Sequence, residues 1–215
     1  QTCALPIYDI APAYAFDHLE GFAMDVREAQ YSQLDDTLRY CYHVAGVVGL
    51  MMAQIMGVRD NATLDRACDL GLAFQLTNIA RDIVDDAHAG RCYLPASWLE
   101  HEGLNKENYA APENRQALSR IARRLVQEAE PYYLSATAGL AGLPLRSAWA
   151  IATAKQVYRK IGVKVEQAGQ QAWDQRQSTT TPEKLTLLLA ASGQALTSRM
   201  RAHPPRPAHL WQRPL

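Results

Sequence analysis

The sequence carries no net charge, because 22 Lys and Arg balance 22 Asp and Glu. Nucleic acids are held chiefly by surplus Lys and Arg on their phosphates, so no nucleic-acid partner is expected. No apolar run reaches the ~20 residues that a membrane-spanning helix needs. The richest run, Val44 to Met56, is broken by Gly46, Gly49 and Gln54. The four cysteines, Cys3, Cys41, Cys68 and Cys92, include no Cys-x-x-Cys pair. That argues against a zinc site or a disulfide framework and fits a reducing cytoplasm. His-x-x-x-His and Glu-x-x-His pairs are missing, and with them the ligands of a ferritin-type di-iron bundle. A Gly-x-Gly-x-x-Gly fingerprint and a Gly-rich loop ending in Lys-Ser/Thr are missing too, so nothing local points to a nucleotide cradle. Strand signals are almost absent.

What the sequence does have is helical periodicity, in a chain long enough for one domain with a sizeable core. The pattern predicts helices over Ala13–Glu28, Leu34–Gly57, Asn61 to about Asp86, Trp98–Glu102, Pro112 to about Ala138, Leu145 to about Ala172, and Pro182 to about Arg201. Asn61 reads as an N-cap, Pro131 as a kink, and Pro182 as a helix start. Ala45, Gly46 and Gly49 allow a neighbour or a ligand to approach closely. The tail from His203 is Pro-rich and is expected to be irregular. Six substantial helices without a sheet predict an all-α bundle.

The most informative stretch is Gln75-Leu76-Thr77-Asn78-Ile79-Ala80-Arg81-Asp82-Ile83-Val84-Asp85-Asp86. Wound as a helix, it sets Gln75, Asn78, Asp82, Asp85 and Asp86 on one face and the aliphatic residues on the other. Three carboxylates and two amides, with Arg81 at the edge and no lysine, suit a hard divalent cation better than a plain solvated face, which usually mixes in Lys. Mg²⁺ takes oxygen ligands and commonly only one or two carboxylates, leaving room for water and substrate phosphate. A solvated helix end is the alternative, although carboxylates at a helix C-terminus oppose the helix dipole. Asp65 and Asp69 also have Asp-x-x-x-Asp spacing. At ~1.5 Å per residue, however, Asp65 stands about 25 Å from Asp82. The two are therefore read as surface charges near the start of the same helix.

The run Leu70-Gly71-Leu72-Ala73-Phe74-Gln75-Leu76-Thr77-Asn78-Ile79-x-Arg81-Asp82-x-x-x-Asp86-x-x-x-Gly90-Arg91-x-Tyr93-Leu94-Pro95 resembles the second aspartate-rich signature of the squalene/phytoene synthase family. Tyr40-Cys41-Tyr42-His43-Val44-Ala45-Gly46-Val47-Val48-Gly49 resembles another block of that family. Phe16-Asp17-His18-Leu19-Glu20-Gly21 through Asp25 resembles a third, more loosely. The Gln-Leu-Thr-Asn-Ile wording and the ending Pro204-Pro205-Arg206-Pro207-Ala208-His209-Leu210-Trp211 are most similar to its bacterial phytoene synthase branch.

The resemblance implies the all-α isoprenoid-synthase fold and head-to-head condensation of two geranylgeranyl diphosphates to phytoene, through a cyclopropyl diphosphate. Squalene or dehydrosqualene synthesis from farnesyl diphosphate, or a non-catalytic helical binding module, are the alternatives. It implies Mg²⁺, with Mn²⁺ as a substitute, on Asn78, Asp82 and Asp86. Asp85 stays open between a ligand and an outer partner. Gln75 and Arg81 are implied to contact the diphosphate, and Tyr40, which alone reads as a core aromatic, to stand near it as a catalytic phenol. Tyr158 is implied to touch substrate, and Val44, Val48 and Gly49 to line a prenyl channel.

The resemblance also implies a first aspartate-rich motif N-terminal to Asp9. The chain is therefore expected to be N-terminally truncated and inactive by itself, with residues 1–8 a non-matching leader, 9–202 the partial synthase domain and 203–215 the tail. Location is expected to be cytoplasmic, and peripheral contact with membrane or with other carotenoid enzymes is compatible with it.

Overall fold

The computed structural model describes residues 7–200 and 202–214. Residues 1–6, which include most of the expected leader and Cys3, and the expected helix end at Arg201 lie outside the described residues. Among the described residues the fold is all helical. Its elements are α1 (Pro12–Val26), α2 (Leu34–Cys41), a π-helical turn (Tyr42–Gly46), α3 (Val47–Ile55), α4 (Asn61–His88), α5 (Ala96–His101), α6 (Arg115–Gly139), α7 (Leu145–Ala168) and α8 (Thr181–Thr197). No described helix is long and apolar enough to cross a membrane.

α4 is the axis of the bundle. Its N-cap is Asp60, one residue before the expected Asn61: the Asp60 carboxylate accepts from the Thr63 amide at 2.8 Å. The apolar side found in the sequence, Leu72, Leu76, Ile79, Ile83 and their neighbours, is buried mainly against α6 and α3. α3 crosses α4 backbone to backbone. A Cβ on Gly71 would stand 2.4 Å from the Ala45 carbonyl oxygen, and one on Gly49 would stand 2.5 Å from that of Ala67. The small residues thus serve a helix crossing, with α3 and α4 antiparallel.

The expected single helix Leu34–Gly57 is interrupted by the π-helical turn. Its wider winding inserts a residue where Tyr42 donates to Asp17 Oδ2 at 2.5 Å and Gly46 packs on Leu72 and Cys68. Composition alone does not reveal a π turn. Helix α6 runs unbroken through Pro131. α7 ends at Ala168, where Gly169 takes φ +54° and a 3₁₀ turn follows. α8 opens on a capping box between Thr180 and Glu183.

The irregular tail is pinned to the bundle by ion pairs, and this corrects the reading of Asp65 and Asp69 as surface charges. Asp69 is fully buried, accepts from Ser135 Oγ at 2.5 Å, and pairs with Arg206 through two contacts of 2.7 and 2.9 Å. Asp65 accepts from Arg213 at 2.6 Å. Trp211 lies 5.6 Å from the Tyr42 ring, and Leu210 is buried. The acidic residues near the start of α4 therefore anchor the tail, whose arginines reach them from more than 130 positions away in the sequence.

One buried charge gives a test of this core. Lys155 is 5% exposed and donates to Thr137 Oγ1 at 2.5 Å. Burial first, and Arg159 second, pull its amine down to about 8 from 10.5. Between those values the unfolded chain binds more proton than the folded one, so this residue's contribution to stability rises with pH across that window. Lys155→Met, of similar shape and without charge, is expected to melt higher than wild type at pH 7. The gap should close toward pH 10 in thermal scans; a gap independent of pH would refute the assignment.

Candidate functional site

A cavity of about 340 Å³ runs between α3, α4, α6 and α7. Its walls include Val44, Val48 and Gly49 from the π turn and α3, Gln75 and Asn78 from α4, and Tyr158 from α7. The structure thus brings together six of the residues singled out in the sequence. They come from three separate segments, because the α3–α4 crossing faces the small side of one helix with the amide side of the other. Tyr158 stacks on Phe74 with ring centroids 4.3 Å apart, which fixes it in the wall. At the polar end, Asn78 Nδ2 donates weakly to Gln75 Oε1 at 3.4 Å, and the buried Asn78 Oδ1 has no partner. An orphaned buried carbonyl oxygen is costly, and it is the atom a cation would use.

One and two turns further along α4 come Asp82 and Asp86. Neither is in the cavity wall. Asp82 accepts from Arg81 at 2.8 and 2.5 Å and from Arg176 at 3.3 Å. Arg81 therefore pairs with its chain neighbour, and not with Asp85 as an i,i+4 surface pair would. Asp86 is partly buried, and among the described residues its carboxylate has no hydrogen-bond or ion-pair partner. Burial, then Asp82, with smaller pushes from Asp85 and Asp25, raises it to about 6 from 3.8, against the pull of Arg91. Asp85 is exposed and lies outside the site.

Tyr40 is not in the cavity wall either. It is 4% exposed and donates to Asp25 at 3.1 Å, while Tyr93 donates to the same Asp25 oxygen at 3.0 Å. The two rings stack at 4.6 Å. Burial raises both phenols above their ordinary range, so both stay protonated and keep donating. Asp25 in turn adds to the field on Asp86 and on Arg91. Tyr40 therefore bears on the site through Asp25 at the end of α1.

Asp25, Tyr93 and Arg91 stand in the sequence only within motif blocks, and nothing there singles out Arg176. Arg176 sits in the segment after α7, and the Trp173 indole anchors that segment by donating to the Ala80 carbonyl at 3.2 Å. Its position had no signal in the sequence.

Among the described residues no three His, Cys, Asp or Glu side chains already converge on one point. The donor set nevertheless fits a hard divalent cation: an orphaned amide oxygen, a carboxylate without a partner among the described residues whose ionisation is opposed by its neighbours, and a second carboxylate held by two guanidinium groups.

The squalene/phytoene synthase family model matches residues 4–184. The 15-cis-phytoene synthase of Enterobacter agglomerans is 80% identical over 208 residues, which are 97% of this chain and 70% of that protein. The phytoene synthase of Pseudescherichia vulneris is 64% identical, over 97% of this chain and 67% of that protein. Among solved structures, a crystal structure of a dehydrosqualene synthase in complex with ligand superposes with a TM-score of 0.79 at 27% identity. That match covers 87% of this chain and 66% of that one.

Proposed function

The chain belongs to the squalene/phytoene synthase family, and from that membership we propose that it joins two geranylgeranyl diphosphates head to head to give phytoene, in carotenoid biosynthesis. It is of the prenyltransferase type, and the substrate class of the family is prenyl diphosphate. The observation that carries the finer reading is the junction of an apolar cavity with the acid-rich end of α4, at Asn78 and its unpartnered oxygen.

The chemistry divides along that junction. Val44, Val48 and Gly49 hold a prenyl chain away from water, which any allylic cation formed there requires. Asn78, Asp82 and Asp86 would hold a divalent cation, Mg²⁺ or in its place Mn²⁺. Bound there, the cation would polarise a substrate diphosphate and stabilise it as a leaving group. Arg81 and Arg176, which donate to Asp82 at the same rim, would pair with the diphosphate, a contact that suits planar bidentate donors. Gln75 orients the same group from the cavity side. Tyr158, fixed on Phe74, closes the wall beside the reacting carbon. Tyr40 and Tyr93 hold Asp25, which keeps the rim negative and its geometry fixed before substrate enters. Departure of one diphosphate leaves an allylic cation, which the double bond of the second prenyl diphosphate attacks, and loss of a proton closes the ring of the cyclopropyl diphosphate. Departure of the second diphosphate, rearrangement of the cation and loss of another proton yield phytoene. Work on a hydrocarbon substrate in the cytoplasm is compatible with peripheral membrane contact and with handing product to other carotenoid enzymes.

The test is the product. Protein expressed from its intact coding sequence is incubated with Mg²⁺ and labelled geranylgeranyl or farnesyl diphosphate. Phytoene as the dominant product supports the reading; a thirty-carbon product formed preferentially would replace it with the dehydrosqualene alternative.

A further inference from the structure

The cavity extends away from Asn78 along α4, and a charged residue stands in its wall at the other end. α3 and α4 run antiparallel, with Ala45 against Gly71 and Gly49 against Ala67. The same register carries Ala53 to the level of Thr63. The cavity wall includes Ala53, Met56, Thr63, Arg66 and Leu143 at this level. From Asn78 back to Thr63 the lining follows α4 for about 22 Å at 1.5 Å per residue.

Arg66 is the one charged side chain in the wall. Its guanidinium is turned away from the cavity: one nitrogen donates to the Ser135 carbonyl at 3.0 Å and another to the Pro204 carbonyl of the tail at 2.7 Å. What remains toward the cavity is the aliphatic stem, as expected when a long cationic side chain buries its carbons and keeps its head satisfied. The stem lies flat on α6 because position 139 is glycine; a Cβ there would come within 2.9 Å of Arg66 Cβ. The tail that supplies the Pro204 carbonyl is fixed in turn by the Asp69–Arg206 ion pair. Arg66 is thus held by two elements, by α6 through Gly139 and the Ser135 carbonyl and by the tail through the Pro204 carbonyl.

We propose that the clamped stem of Arg66 is the far stop of the prenyl channel and determines the length of isoprenoid chain that the protein accepts. The proposal rests on the reading of the cavity as a prenyl channel. Shortening the stop lengthens the channel, and filling the wall at Ala53 shortens it. A methylene more or less in an apolar pocket changes specificity by about tenfold or more.

The experiment compares kcat/KM for farnesyl, geranylgeranyl and geranylfarnesyl diphosphates in protein expressed from its intact coding sequence. Arg66→Ala is expected to raise the preference for the twenty-five-carbon over the twenty-carbon substrate by about tenfold. Arg66→Met, which keeps an apolar stem but loses the guanidinium that clamps it, should shift the preference in the same direction by a smaller factor. Ala53→Leu should move preference by a similar factor toward farnesyl diphosphate. Circular dichroism checks the fold of each, and if Arg66→Ala does not fold, Ala53→Leu decides. Folded, active variants with unchanged preferences would overturn the stop while leaving the channel reading intact. A wild type that consumes none of the three would overturn both.

Discussion

Asp86→Asn is expected to lower turnover of geranylgeranyl diphosphate by on the order of 10²-fold or more, without lowering the melting temperature of the cation-free protein at pH 7. The two effects differ because Asp86 serves the site at the expense of the fold. Its carboxylate sits partly buried beside Asp82, Asp85 and Asp25, and is raised to about 6 from 3.8. Between those values the folded state binds more proton than the unfolded one. This residue therefore makes the cation-free protein less stable as pH rises through that window, and the deficit persists above it. The amide has nearly the same volume and no charge, so the deficit disappears along with the cation's ligand. Turnover of the wild type should accordingly fall as pH drops below about 6, and more Mg²⁺ should move that fall to lower pH, because cation and proton compete for one oxygen. Steady-state rates and thermal scans on the same preparations measure both. A variant that keeps near-wild-type turnover, or one that loses its fold, would remove Asp86 from the role assigned to it.

The second large effect concerns the tail. Arg206→Met is expected to destabilise the protein by about 3–5 kcal/mol, because it strands the Asp69 carboxylate in the core. For a chain of this size that is a fall of roughly 10 °C in Tm. Asp69 is fully buried, and its other contact, from the Ser135 hydroxyl, cannot balance a full charge. Adding Asp69→Asn to Arg206→Met should recover most of the loss, since the charge then goes with its partner. A single variant as stable as wild type would mean that the Asp69–Arg206 pair is not what holds the tail.

Much of this could be read from the sequence, and the divisions have physical causes. The six long helices follow from apolar periodicity, a local property repeated over many turns. The grouping of Gln75 with Asn78 needs only the pitch of one helix, and both face the cavity. What local patterns miss is anything settled by distant partners. Asp65 and Asp69 read as solvated because their arginines lie in an irregular, Pro-rich tail. The resemblance implies Tyr40 near the diphosphate; in the structure its hydroxyl donates to Asp25 and its ring stacks on Tyr93, partners that no local pattern reveals. The π turn at Tyr42–Gly46 has no residue signature of its own; it is fixed by tertiary contacts such as that of Tyr42 with Asp17. Arg176 reaches Asp82 only because Trp173 docks its segment on α4.

The most direct measurement is binding of Mn²⁺, followed by electron paramagnetic resonance in the presence of inorganic diphosphate, on protein expressed from its intact coding sequence. If the acid-rich end of α4 holds the cation at the mouth of the apolar cavity, wild type should take up Mn²⁺ with diphosphate, and Asp86→Asn and Asp82→Asn should each weaken that uptake by at least about tenfold while remaining folded. Equal uptake by wild type and both variants would contradict the assignment of the cation to this helix face.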